Sequence, residues 1–60
     1  MKQVTITIET ENAAFEGHPG TELERILRGL AGYLEYAAYP PPDMPLFDIN
    51  GNKVGELKAE

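Results

Sequence analysis

No cysteine occurs in this 60-residue chain, and that absence restricts the folds open to it more than any other feature. Below roughly 70–80 residues a single hydrophobic core supplies little stability, and small folds usually add disulfides or a structural metal. Without thiols, disulfides, thiolate zinc sites and cysteine nucleophiles are excluded together. A chain this short hides only about 60% of the surface that its unfolded form exposes. Its stabilisation is therefore expected from tight packing or from self-association.

The local patterns give a short list of elements. Residues 3–9 read Gln-Val-Thr-Ile-Thr-Ile-Glu. Val4, Ile6 and Ile8 alternate with Thr5 and Thr7, and this period of two with β-branched residues predicts a strand over 3–9. Asn12 is placed to cap a short turn containing Ala13 and Ala14, and Phe15 is expected to fold back onto the core. Gly17-His18-Pro19-Gly20 is dense in turn residues and ends whatever precedes it.

Thr21-Glu22-Leu23-Glu24 has the form of a capping box, with Glu22 and Glu24 at the positive end of the helix dipole. Leu23, Ile26, Leu27, Leu30, Leu34, Ala37 and Ala38 recur at helical spacing, with Tyr33 at the edge of the stripe. The spacing predicts a helix over 22–38. Glu24 and Arg28 form an i,i+4 pair on the opposite side, worth about 0.3–0.5 kcal/mol. Pro40 stops the helix near Tyr39, and residues 40–45 read as a stiff extended linker of polyproline type.

Residues 46–49 and 53–58 read as the strands of a hairpin. Two turns fit. Asn50-Gly51 suits a two-residue type I′ turn. Asp48-Ile49-Asn50-Gly51 suits a type I turn with Gly51 left-handed in a bulge, pairing Asp48 with Asn52. The second is preferred, because it puts Asp first and Gly fourth, as that turn favours. The expected fold class is α+β in the order β-α-β-β: a single domain over 1–60, with one helix packed on one face of a three-stranded sheet. The face bearing Thr5 and Thr7 has no cover within the monomer.

Chemistry is sparse in this pattern. His18 is the only histidine and sits in a turn, with no second imidazole or thiolate to complete a zinc site. Residues 48–52 superficially resemble a calcium loop, but Gly51 is fourth where the EF-hand needs Gly sixth. Serine is absent, and Gly29-Leu30-Ala31-Gly32 lies inside the helix, where its N–H groups are already bonded. A one-helix, three-strand layer has little room for a pocket of even ~300 Å³. These features point away from enzyme activity, a cofactor, a metal or a small-molecule ligand.

The formal net charge is −5, which argues against nonspecific binding to nucleic acid or an anionic membrane. It also serves solubility. No run approaches the ~20 apolar residues of a membrane span, and no secretory signal is recognisable, so a cytoplasmic location is the default.

Gly29 and Gly32 are the oddest residues, since each costs about 1 kcal/mol relative to Ala inside a helix. One reading is a close approach by another chain, with Arg25, Tyr33 and Tyr36 as contact residues. The other is tolerated surface glycine, with the tyrosines edging the core. The candidate interface is therefore Thr5, Thr7, Arg25, Gly29, Gly32, Tyr33 and Tyr36.

Thr-Ile-Glu-Thr-Glu-Asn-Ala-Ala-Phe (7–15), Glu-Arg-Ile-Leu-Arg-Gly-Leu-Ala (24–31) and Asp-Ile-Asn-Gly-Asn-Lys-Val-Gly (48–55) together resemble a set of very short phage and prophage proteins of unknown function. The likeness spans most of the chain. Residues 39–44 depart from it, being longer and richer in proline. The resemblance implies a phage setting, in the host-cell cytoplasm, and no catalytic residues. Tiny acidic phage accessory proteins are often non-enzymatic inhibitors of host machinery, including antiviral defence. The expected function is thus a homodimeric protein–protein interaction module that binds and blocks a host protein. The alternative is an acidic DNA mimic that occupies a nucleic-acid-binding protein.

Overall fold

A computed structural model describes residues 2–39 and 42–60. The chain runs through strand β1 (Val4–Ile8), a short 3₁₀ turn (Ala13–Phe15), helix α1 (Pro19–Tyr36), and strands β2 (Asp43–Phe47) and β3 (Lys53–Ala59). This is the α+β arrangement of one helix with a three-stranded sheet. The sheet order is β1-β3-β2 and both pairings are antiparallel. The last strand therefore lies between the first two, and β1 and β2 form the edges.

Two boundaries of the helix differ from expectation. It begins at Pro19 and ends at Tyr36, where 22–38 was expected. Proline suits the first helical position, because the N–H it lacks has no partner there and its φ is already helical. The capping box does not form. His18 is the cap, without a side-chain bond, and its carbonyl accepts from the Thr21 N–H at 3.1 Å. Ala37 is extended, with φ −88° and ψ 127°, and turns the chain back towards β2.

Strand β2 begins earlier than expected and takes in Met44 and Pro45, which had been assigned to the linker. Polyproline and β backbones are close neighbours in φ and ψ, so the same residues serve either. Proline is tolerated because β2 is an edge. Pro40 and Pro41 of that linker lie outside the described residues. Strand β1 covers 4–8 rather than 3–9, although Gln3 and Glu9 still bond to Glu60 and Val54. Strand β3 runs on to Ala59.

The hairpin takes the preferred turn. The Gly51 N–H donates to the Asp48 carbonyl at 3.0 Å, and the Asp48 N–H donates to the Asn52 carbonyl at 2.9 Å. Gly51 has φ +87°, the left-handed geometry that a bulge of this kind needs.

Phe15, Ile26, Leu30, Leu46, Val54 and Leu57 form the core, with Leu23 and Leu34 packed against it. Val54 and Leu57 are three residues apart and would face opposite sides of a regular strand. A second bulge resolves this. Leu46 lies opposite Gly55 while Phe47 lies opposite Lys53, so Val54 is the extra residue. The same distortion presses Gly55 against β1, where an added Cβ would lie 1.9 Å from the Thr7 carbonyl oxygen.

Gly55→Ala is expected to destabilise the fold by about 1–3 kcal/mol, since the obstacle is backbone and cannot rotate away. At about 4–8 °C per kcal/mol for a domain of this size, thermal unfolding should show the loss clearly. An unchanged midpoint would contradict the close approach of β3 to β1.

Candidate functional site

The first turn of the helix holds a carboxylate that the sequence places at the positive end of the helix dipole and that the fold also buries. Glu22 is only 6% exposed. It accepts from Arg25 at 2.9 and 3.0 Å, and from the Ile49 N–H of the hairpin turn at 2.9 Å. Arg25 also donates to the Phe47 carbonyl at 3.0 Å. Starting the helix at Pro19 puts Glu22 and Arg25 one turn apart, on the flank that meets the end of β2.

Asp48 is the second buried carboxylate, 4% exposed. It accepts from the N–H groups of Asn50 and Asn52 at 2.9 and 2.8 Å, and from the side chains of Asn52 and Asn12. Asn12 therefore ties the segment before the 3₁₀ turn to the hairpin, rather than capping its own turn. Bonding to Arg25 holds the Glu22 carboxyl below its ordinary value, against the penalty of burial. Burial pushes Asp48 up, and the bonds from Asn52, Asn50 and Asn12 outweigh it, leaving a net lowering. Arg25 is raised in turn by its bond to Glu22.

The seven candidate interface residues fall on two sides of the molecule. Thr5 and Thr7 lie opposite Lys58 and Glu56, on the sheet face away from the core, and both are exposed. Arg25, Gly29, Tyr33 and Tyr36 share one helix flank, spanning about 80° at 100° per residue. Gly32 lies about 20° beyond Arg25, towards the polar side. Arg25 is committed to Glu22 and the hairpin. Gly29 and Gly32 have open space around them, with nothing within 4 Å of a would-be Cβ. Tyr33, Tyr36 and Tyr39 are 46, 86 and 83% exposed.

Sequence reasoning missed other exposed apolar side chains. Ile49 and Phe47 stand out of the hairpin, and Leu27 stands out of the helix. Leu27 lies about 160° around the helix from Arg25 and so faces away from β2. Val4 and Ile6 alternate with the threonines towards the helix side of the sheet, yet each remains 44% exposed. The alternation does signal their face. It does not signal that β1 is an edge, because strand order is not written locally.

A hollow of about 500 Å³ runs along the helix between Gly20, Leu23, Leu27 and Ala31, with Glu24 and Arg28 on its rim. It is larger than the pocket expected, but one helix supplies all its lining, so it is an open groove. Glu24 and Arg28 pair along that rim at 3.2 Å. Among the described residues, no helix is long and apolar enough to cross a membrane. No protein-family model, curated protein or solved structure matches the chain.

The two buried carboxylates give the fold an acid-sensitive joint. A lowered folded pKa contributes stability that is complete above the ordinary values, 4.5 for Glu22 and 3.8 for Asp48, and is lost as pH falls through the depressed values. The urea midpoint is expected to hold from neutrality to about pH 5 and to fall below that. Glu22→Gln should flatten this descent, and an equally steep fall in that variant would remove Glu22 from the cause.

Proposed function

We propose that the chain is a small non-enzymatic interaction module whose helix flank binds and blocks a partner protein. One observation carries the reading. A core that, among the described residues, holds six buried apolar side chains leaves Tyr33 and Tyr36 half or mostly in solvent on the helix flank that carries an uncrowded Gly29. Tyrosine offers a large apolar ring and a polar tip, and it is enriched among residues that dominate binding energy. The bare helix backbone at Gly29 lets a partner approach closely, which offsets the cost of glycine in a helix.

The proposed action is occupation of a partner's surface, without a chemical step. The resemblance to short phage proteins supports a bacterial host protein as the partner, with antiviral defence among the candidate targets and the host cytoplasm as the setting. The acidic balance gives less support to DNA mimicry. Glu22 and Asp48 are spent inside the fold, and Glu24 is paired with Arg28.

Replacing Tyr33 and Tyr36 together with alanine is expected to weaken capture of the host partner by at least about 30-fold, as loss of a binding centre worth about 2 kcal/mol implies. Circular dichroism should stay unchanged, because neither tyrosine is in the core. Undiminished capture by a folded double variant would overturn the assignment of this flank.

A further inference from the structure

We infer that β1 is a self-association edge, and that two copies pair β1 to β1 in antiparallel fashion about a two-fold axis at Ile6. The inference deepens the reading of the chain as an interaction module by naming the second copy, its surface and its register.

The hydrogen-bond ladder shows which groups are free. Gln3 and Glu60 exchange two backbone bonds, at 2.9 and 3.0 Å, and the Glu9 N–H donates to the Val54 carbonyl at 2.7 Å. In an antiparallel pair such bonds fall on alternate residues. Thr5 and Thr7 therefore bond to β3. Val4, Ile6 and Ile8 direct their N–H and C=O groups outward, along the open edge.

The two sheet edges are built differently. On β2, the Ala59 N–H donates to the Pro42 carbonyl, so Asp43, Pro45 and Phe47 take the outward positions. Pro45 has no N–H to offer, Asp43 adds a charge, and the β2–β3 ladder is bulged. These are the usual devices that stop a sheet from growing. Strand β1 has none of them. It reads Val-Thr-Ile-Thr-Ile, β-branched throughout, uncharged, and in unbroken register with β3.

A second β1 satisfies this edge. Antiparallel pairing about Ile6 sets Val4 opposite Ile8 of the other copy and Ile6 opposite its counterpart. The outward residues then exchange bonds in each pair, and the half-exposed Val4 and Ile6 gain β-branched neighbours. Charge order selects the direction. Lys2 precedes the strand while Glu9 and Glu11 follow it, so antiparallel pairing brings base towards acid. Parallel pairing would set acid beside acid. Because the contact is isologous and the β2 edges are blunted, assembly closes at two.

Sedimentation equilibrium at micromolar concentration should give twice the chain mass of 6.6 kDa for the wild type, and one chain mass for Ile6→Lys. Helical circular dichroism should be the same in both, since Ile6 lies outside the buried core. The chain has no cysteine, so engineered thiols report register cleanly. In the proposed pairing Thr5 faces Thr7 of the other copy. Oxidising a mixture of Thr5→Cys and Thr7→Cys chains should cross-link the two kinds to each other in preference to themselves. A monomeric wild type, a dimeric Ile6→Lys, or preferential like-with-like cross-linking would each overturn the pairing. Partner capture that survives in monomeric Ile6→Lys leaves the tyrosine flank standing. Capture lost in the tyrosine variant, with the dimer intact, strikes only that flank.

Discussion

Two buried carboxylates hold the pieces of this fold in place, and the rest of the structure depends on them. Glu22 joins the first turn of the helix to the Ile49 N–H, and Asp48 joins Asn12 to the hairpin turn. Each is an anion out of water, which is tolerable only because its oxygens are met by directed donors. Geometry gives these ties a value that apolar packing lacks. Six apolar side chains attract one another in any compact arrangement. A carboxylate that needs Arg25 on one side and a hairpin N–H on the other accepts one placement of helix against sheet.

The same ties explain which parts of the fold were legible beforehand. Alternation at Val4–Ile8 and helical spacing from Leu23 to Leu34 are local signals, and the structure carries both elements. The Asp48–Gly51 turn was readable because its residue preferences are chemical: Asp accepts from the N–H groups of Asn50 and Asn52, and Gly51 supplies the positive φ. Glu22 was not readable in its actual role. A glutamate in a first helical turn reads as a surface residue, and its partner Ile49 is supplied by a remote turn. Gly55 was silent for a related reason. Its need for a bare Cα comes from the bulge at Val54 and the Thr7 carbonyl across the ladder. Of the candidate interface, Arg25, Gly29, Gly32, Tyr33 and Tyr36 lie within the helix, as the spacing predicts. Arg25, however, turns out to serve the fold.

Surface charge recedes once the fold is in place. Of the ten acidic residues, Glu22 and Asp48 work internally, while Glu24 and Glu56 lie beside Arg28 and Lys58. The apolar surface is the more specific feature. Two of its parts are a tyrosine-bearing helix flank on the β2 side and a β-branched edge at β1. The first is made of large rings on one helix and suits a dissimilar partner. The second is a row of repeating backbone groups and suits a strand.

A chain that cannot staple itself has reason to keep one sheet edge open. Among the described residues six apolar side chains are buried, while Val4 and Ile6 face the core side of the sheet without being covered. In the proposed pairing a second strand flanks them, and only a folded chain presents the edge in register. Such pairing would stabilise the native state by mass action and leave the unfolded chain unaffected. The hazard of such an edge is unlimited growth. Pro45 and Asp43 on the far edge remove it, because each copy then offers one strand and no second. Pro45, which reads in the sequence as part of a mere spacer, would by this logic be part of what keeps the proposed assembly finite.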